Sequence, residues 1–156
     1  MTLSDKKTIK VFKTRENAKL PVRAHPTDAG MDLFYCPSSS SLHEVLRPNQ
    51  TALLETGLKI EVPEGHMLQI MNKSGIASKR RLITGACVVD SGYNGEIYVN
   101  LHNIGNQPQV IEPGQKIAQA VLVPIVLPDL QEIGEDNVYG FETSRSSGGF
   151  GSTGDR

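Results

Sequence analysis

The chain has 156 residues and a formal net charge of −1, with 16 Lys and Arg against 17 Asp and Glu. This length suits one hydrophobic core, and the balanced charge excludes a protein that is drawn as a whole to nucleic acid or to an anionic membrane. With 38% hydrophobic residues, 5% aromatic residues and no Trp, the core volume must come mainly from Val, Ile and Leu, which favours β-structure.

The cysteines and the N-terminus give expectations about location. Cys36 and Cys87 have neither paired nor ligand-like spacing, which argues against a disulfide framework and a zinc site and fits a reducing compartment. Residues 1–10 carry three lysines without the apolar stretch of a signal peptide, and no later stretch reaches membrane-spanning length. The sequence therefore predicts a cytoplasmic protein with no membrane contact and no stable nucleic-acid binding.

Short alternating segments fill residues 49–126, separated by Pro, Gly and Asn. This is the pattern of an antiparallel meander or a jelly roll. Leu58 and Ile60, for example, alternate with charged residues, which predicts a half-buried strand. Helix is scarce, and residues 74–81 are predicted as a short helix that Ser74 could cap.

A tight hairpin is predicted at Asn94-Gly95, a dipeptide that readily adopts positive φ angles. Val88 and Val89 are expected on the strand that pairs across this turn. Asp90 and Tyr93 then lie at the end of the hairpin and present a carboxylate and a ring. Either residue alone is also explained by turn formation or by packing.

Further candidates are charged or polar residues whose positions call for a partner, and one group of them suits a phosphate. Asp32 lies in an apolar stretch, where an unpaired carboxylate is costly to bury, although a capped turn would also explain it. Lys73, Ser74 and Gly75 bring a cation, a hydroxyl and backbone amides to the start of a helix, and a simple N-cap is the alternative. Gln119 shares a strand face with apolar residues, so its amide needs a polar partner, a water or a ligand.

The tail is rich in Gly and Ser, and we predict that residues 1–142 form one β domain and residues 143–156 a flexible arm. Such a tail is commonly a linker. The arm nevertheless offers a cation at Arg145, a ring at Phe150, and hydroxyls and unhindered backbone amides beyond it. The placement of Arg145 and Phe150 argues against a simple linker.

Taken together, the segments resemble in order and spacing the motifs of the trimeric dUTP pyrophosphatase (dUTPase) family, from Asp28 to Gly154. The most specific pieces are Arg145 with the run Gly148-Gly149-Phe150-Gly151-Ser152-Thr153-Gly154, and Asp90 with Tyr93 and Gly95. The resemblance implies an all-β, single-domain, antiparallel jelly-roll-like (β-clip) barrel with one short helix. It also implies a homotrimer in which the arm closes over the active site of a neighbouring subunit.

The implied reaction is hydrolysis of dUTP to dUMP and pyrophosphate, which keeps uracil out of DNA and supplies dUMP for dTMP synthesis. By the resemblance, Asp90 activates the water that attacks the α-phosphorus, and Asp32 holds Mg²⁺ through water while the substrate phosphates are the main ligands. The substrate-binding residues implied are Lys73, Ser74, Gly75, Cys87, Val88, Val89, Tyr93, Tyr98, Gln119, Arg145, Phe150, Gly151, Ser152 and Thr153.

Two departures from the family pattern and two rival functions accompany this interpretation. Lys73 stands where the family usually has Arg, and Cys87 where many members have Gly. A dCTP deaminase is the enzymatic rival, but its catalytic Glu would fall at Asn100, which cannot shuttle a proton. The other rival is a nucleotide-gated regulatory protein on the same fold that docks an unidentified partner.

Overall fold

The structure is a computed structural model, and it describes residues 8–39, 42–135 and 138–143. These residues form eleven strands and one helix, which confirms the prediction of an all-β fold with a short helix. In chain order the elements are β1 Val11–Lys13, β2 Met31–Phe34, β3 Glu44–Leu46, β4 Thr51–Glu55, β5 Leu58–Ile60, β6 His66–Met71, α1 Ser74–Arg80, β7 Leu82–Thr84, β8 Val88–Val89, β9 Tyr98–Asn103, β10 Gln109–Ile111 and β11 Lys116–Pro124.

The strands pair across long stretches of sequence. Within the described residues the sheets are β2-β11-β6-β8, β4-β9-β7, β1-β5 and β10-β3, and the pairs are antiparallel. This arrangement is jelly-roll-like, so the continuous meander that the pattern also allowed is wrong. Alternation of apolar residues indicates which face of a strand is buried and says nothing about which strand lies beside it.

The core is aliphatic, as the composition predicts. The predicted alternation in β5 is confirmed, because Leu58 and Ile60 are buried while Lys59 between them is partly exposed. Each fully buried Leu or Ile contributes about 1.5–3 kcal/mol to the free energy of unfolding. The largest fully buried side chains come from all four sheets and from the residue just before β9, and they are Leu33, Leu46, Leu54, Leu58, Leu68, Ile70, Leu82, Ile97, Leu101, Ile111, Ile117 and Val99.

The predicted hairpin between β8 and β9 is wrong. β8 pairs with β6, whereas β9 pairs with β4 and β7. The positive φ in the connecting loop is at Gly92 (φ 86°), and Asn94 and Gly95 are not in this region. Gly95 is needed for a different reason, because a Cβ there would lie 2.2 Å from the Tyr93 hydroxyl oxygen. The glycine therefore makes room for the ring.

The helix α1 agrees with the prediction to within one residue. Lys73 occupies the N-cap position and makes no side-chain capping bond, so the expected Ser74 cap is wrong. Ser74 is instead the first helical residue. Arg80, near the end of the helix, donates from Nε to Gln109 Oε1 at 2.9 Å and attaches the helix to β10.

The described chain separates into two compact units, one ending at Val126 and one beginning at Leu127. In the second unit, Tyr139 and Phe141 form an edge-to-face pair with ring centroids 6.1 Å apart. No helix in the described part of the chain is long and apolar enough to cross a membrane. Of the predicted arm, residues 144–156 lie outside the described residues.

Candidate functional site

Most of the predicted site residues of the first unit line two clefts. We call the first the tyrosine cleft; it has a volume of about 270 Å³, and its walls include Val88, Val89, Asp90, Tyr93 and Tyr98. We call the second the aspartate cleft; it has a volume of about 350 Å³, and its walls include Asp32, Lys73 and Gln119. The structure thus brings Asp90 and four of the implied substrate-binding residues to one place, and Asp32, Lys73 and Gln119 to another.

The tyrosine cleft combines an exposed carboxylate with an aromatic and aliphatic wall. Asp90 follows β8, and its main-chain oxygen accepts a hydrogen bond from the Tyr93 amide at 3.3 Å, which closes a turn. The Tyr93 ring is half-exposed, and its hydroxyl donates to the Glu96 carbonyl at 3.1 Å. Leu53 and Ile70 complete the apolar wall. The cleft can therefore hold a flat, partly apolar group beside a carboxylate.

Asn100 also lines the tyrosine cleft. Its Oδ1 accepts a hydrogen bond from the Ala86 amide at 3.3 Å. A Cβ on Gly85 would lie 2.1 Å from this oxygen and 2.1 Å from His102 Nε2. Glycine at position 85 therefore lets the backbone approach β9, and the Asn100 amide has a structural role.

Asp32 is the buried acid of the aspartate cleft, and its side chain is 6% exposed. Oδ1 accepts a hydrogen bond from Lys73 Nζ at 2.7 Å. Oδ2 has no hydrogen bond of regular geometry, but Lys116 Nζ lies 2.7 Å away as an ion-pair partner. Burial raises the pKa of Asp32, yet the two lysines lower it more, so the net pKa is below its ordinary value.

Lys116 is a member of this cluster that the sequence did not indicate. It lies at the start of β11, where the register with β2 shifts between Lys116 and Ala118. A bulge of this kind redirects side chains relative to the regular alternation. A sequence pattern based on alternation therefore gave no signal for Lys116.

Gln119 has the polar partner that its position required. Its Nε2 donates to the Asn72 carbonyl at 2.9 Å, and a Cβ on Gly30 would lie 2.0 Å from its Oε1. Asn72 was also not predicted. Its Oδ1 accepts from the Thr84 amide at 2.7 Å, so it joins the end of β6 to β7 and supports Gln119.

The other predicted residues lie at three places. Ser74 and Gly75 are exposed in the first turn of α1, and a Cβ on Gly75 would meet nothing within 4 Å. Cys87 uses its carbonyl to accept from the Ile70 amide at 2.8 Å, and both cysteines are free. The residues predicted in the arm, Arg145, Phe150, Gly151, Ser152 and Thr153, lie outside the described residues.

The described residues restrict how a metal ion could be held. Residues 8–39, 42–135 and 138–143 contain no group of three or more His, Cys, Asp or Glu side chains that could hold one. Both oxygens of Asp32 already face ammonium groups. Because Mg²⁺ keeps part of its hydration shell in most protein sites, this donor set fits contact through water and does not fit direct ligation.

Comparisons with known proteins agree with this geometry. A sequence profile described as dUTPase matches residues 16–154. A Clostridium tetani protein named deoxyuridine 5'-triphosphate nucleotidohydrolase is 41% identical over 149 residues, covering 94% of this chain and 97% of its own. A Clostridium novyi protein of the same name is 40% identical over 147 residues, covering 92% and 96%.

Solved structures agree as well. A mutant dUTPase of Staphylococcus bacteriophage 80alpha, solved with dUpNHpp, has a TM-score of 0.83 at 29% identity and covers 96% of this chain and 99% of its own. A mutant dUTPase of phage phi11 of S. aureus, described as revealing the coordination of a structural Mg(II) ion, has a TM-score of 0.73 at 30% identity and covers 83% and 98%. This chain therefore belongs to the dUTPase family.

Proposed function

We propose that this protein hydrolyses dUTP to dUMP and pyrophosphate, and so keeps uracil out of DNA and supplies dUMP for dTMP synthesis. The proposal rests on the tyrosine cleft, whose walls contain both Asp90 and Tyr93. The chain that forms this cleft belongs to the dUTPase family. A relative solved with dUpNHpp supports the substrate class.

In the proposed reaction Asp90 is the general base. Its carboxylate accepts a proton from a water molecule, the water oxygen bonds to the α-phosphorus, and the bond from that phosphorus to the bridging oxygen breaks. Pyrophosphate leaves with the electron pair. Such a step depends mainly on positioning and on neutralising phosphate charge, so no nucleophilic side chain is required.

The phosphates would be bound by Lys73, Ser74, Gly75 and Gln119. Lys73 is 30% exposed and can turn from Asp32 to a phosphate, while Lys116 continues to neutralise the carboxylate. Mg²⁺, when bound to the phosphate oxygens, would neutralise their charge, and Asp32 would orient a metal-bound water. The structural Mg(II) described for the phi11 relative supports this choice of metal.

The nucleoside would lie in the tyrosine cleft. Among the described residues, β8 has a strand neighbour on one side only, so backbone groups around Cys87, Val88 and Val89 can pair with the edge of uracil on the open side. Tyr93 would exclude a 2′-hydroxyl by packing against deoxyribose. Tyr98, also half-exposed in this cleft, would contact the same nucleoside.

We further propose a cytoplasmic homotrimer in which residues 1–142 form the β domain and residues 143–156 the arm. The arm would close over the site of a neighbouring subunit, with Phe150 on uracil, Arg145 at the outer phosphates, and Gly151, Ser152 and Thr153 providing polar contacts. The distribution of the candidate residues over two clefts supports a site assembled from more than one subunit. The two free cysteines fit a reducing cytoplasm.

The test is pyrophosphate release by the purified protein from dUTP, dCTP, dTTP and UTP, with and without Mg²⁺. The expected result is Mg²⁺-dependent turnover of dUTP alone. Ammonia release from dCTP would instead identify a deaminase. Tight dUTP binding without turnover would favour the nucleotide-gated regulatory protein. Turnover of dTTP would indicate a widened uracil pocket and implicate Cys87 in it.

We expect Gly75→Ala to separate stability from phosphate binding. A methyl group at this position meets nothing within 4 Å, and Ala is about 1 kcal/mol better than Gly inside a helix, so the free energy of unfolding should rise. If Gly75 lies against a phosphate, the same methyl group lowers kcat/KM for dUTP, by about tenfold for about 1.4 kcal/mol of lost binding. Chemical denaturation and steady-state kinetics measure the two effects.

Gly30→Ala is the matched control, because here a Cβ would lie 2.0 Å from Gln119 Oε1 and 2.7 Å from its Cδ. The Gln119 amide must move to make room for this methyl group and would lose its hydrogen bond to the Asn72 carbonyl, which is worth about 0.5–1.5 kcal/mol. This variant should therefore lose both stability and activity. Unchanged kcat/KM in Gly75→Ala would contradict the phosphate contact, whereas a loss of stability in that variant would contradict the open space around the added methyl group.

A further inference from the structure

A partly buried charge cluster lies next to the loop that carries Tyr93. The Arg15 guanidinium donates from Nη1 to Glu96 Oε1 at 2.7 Å and from Nη2 to Glu96 Oε2 at 3.0 Å, so this contact is bidentate. Arg15 Nη2 also contacts Glu55 Oε1 at 2.7 Å. The three side chains are 20%, 13% and 26% exposed for Arg15, Glu96 and Glu55. A planar arginine fork in such a contact fixes geometry in a way that lysine cannot.

Both carboxylates of the cluster are further attached to the backbone or to a neighbouring hydroxyl. Glu96 Oε1 accepts from the Gly57 amide at 2.8 Å, and Glu96 Oε2 from the Thr14 hydroxyl at 3.5 Å. Glu55 Oε2 accepts from the Ser38 amide at 2.9 Å. The hydrogen bond to Glu96 raises the pKa of Arg15 and burial opposes it, so the guanidinium stays charged. Glu96 is therefore held from several directions.

The cluster reaches the tyrosine cleft through Glu96. This residue lines the cleft, and its main-chain oxygen accepts the Tyr93 hydroxyl at 3.1 Å. The start of the same loop is held separately, because Ser91 Oγ donates to the Val62 carbonyl at 3.1 Å. The position of the Tyr93 ring therefore depends on where the carboxyl-terminal end of the loop is fixed.

We propose that Arg15 is a positioning residue for sugar selection, which acts through Glu96 to hold the Tyr93 ring and so sets the preference for a 2′-deoxyribonucleotide over a ribonucleotide. This inference rests on the proposed function, in which Tyr93 packs against deoxyribose. The Tyr93 ring can exclude the 2′-hydroxyl by shape only if the ring keeps a fixed position. Because Tyr93 lies on a loop, it needs further contacts to hold it there. The contacts of Arg15 and Glu96 supply that support.

The experiment compares kcat and KM for dUTP and UTP in Arg15→Met and Arg15→Lys. In Arg15→Met we expect the ratio of kcat/KM for dUTP to kcat/KM for UTP to fall at least about tenfold. The kcat for dUTP should change less than about twofold, because the variant loses only the discrimination against the 2′-hydroxyl. Arg15→Lys keeps the charge without the fork and should give an intermediate ratio. Lys10→Met, which removes an exposed pair with Glu61, is the control and should leave the ratio unchanged.

A double-mutant cycle with Tyr93→Ala separates positioning from general support of the fold. If Arg15 acts through Tyr93, then Arg15→Met should lower the ratio no further in the Tyr93→Ala background. Equal losses for dUTP and UTP, or additive losses in the cycle, would overturn the inference. If Arg15→Met does not fold, Glu96→Gln provides the same comparison with a residue of the same shape. Absence of dUTP turnover by the unmodified protein would contradict the proposed function, whereas normal turnover with an unchanged ratio in the variants contradicts only the role of Arg15.

Discussion

Asp90→Asn is expected to lower kcat for dUTP by about 10²–10⁴-fold, the usual contribution of a general base. The amide has nearly the shape of the carboxylate but cannot accept the proton from the attacking water. Asp90 is exposed at the end of β8, and the hydrogen bond that closes its turn uses the main-chain oxygen. The substitution should therefore leave the fold and the binding of a non-hydrolysable dUTP analogue nearly unchanged.

The measurement is steady-state pyrophosphate release together with calorimetric binding of dUpNHpp. Glu64→Gln is the matched control, since it removes another exposed carboxylate outside both clefts, and it should retain full activity. A variant at Asp90 that keeps more than about a tenth of kcat would be inconsistent with general-base catalysis by this residue. A variant that fails to bind dUpNHpp would instead indicate a binding role.

Asp32→Asn is expected to lower the free energy of unfolding by about 2 kcal/mol near neutral pH. Breaking a buried ion pair commonly costs about 3–5 kcal/mol. The smaller value is expected here because the partner lysines are 30% and 46% exposed and can be rehydrated. Urea denaturation at one fixed protein concentration measures the difference. Activity should fall as well, because the variant loses the carboxylate that would orient a metal-bound water.

The stability difference between the wild-type protein and Asp32→Asn should depend on pH in a defined direction. The folded-state pKa of Asp32 is lowered, so its stabilising contribution is complete above the unfolded value of about 3.9 and is lost as the pH falls through the lower folded value. The two unfolding curves should therefore differ most above about pH 5 and converge in stronger acid. A difference that grew on acidification would contradict the ion pairs as its cause.

Several features of the fold were predictable from sequence because they depend on local chemistry. The alternation at Leu58 and Ile60 follows from burial of one strand face, and the helix after Lys73 lies where a short amphipathic segment was predicted. The pairing of β8 with β6 was not predictable in this way. It depends on contacts between residues distant in the chain, whereas Asn94-Gly95 gave only a local turn signal.

The candidate site was likewise predictable only where its residues are close together in the sequence. Asp90 and Tyr93 were indicated by their spacing and share a cleft, and Gln119 was expected to have a polar partner. Lys116 was missed because a register shift in β11 alters the alternation. Arg15 was missed because its partners, Glu55 and Glu96, are 40 and 81 residues away in the chain. A charge cluster formed by such distant residues produces no periodic pattern or motif in a single sequence.

The most direct test of water attack on the α-phosphorus of dUTP is hydrolysis in ¹⁸O-labelled water, followed by mass spectrometry of both products. If Asp90 activates water against the α-phosphorus, one labelled oxygen enters dUMP and none enters the pyrophosphate. Label in the pyrophosphate would mean attack at the β-phosphorus, and release of labelled inorganic phosphate would mean attack at the γ-phosphorus. Either result would contradict the proposed reaction and the role of Asp90 in it.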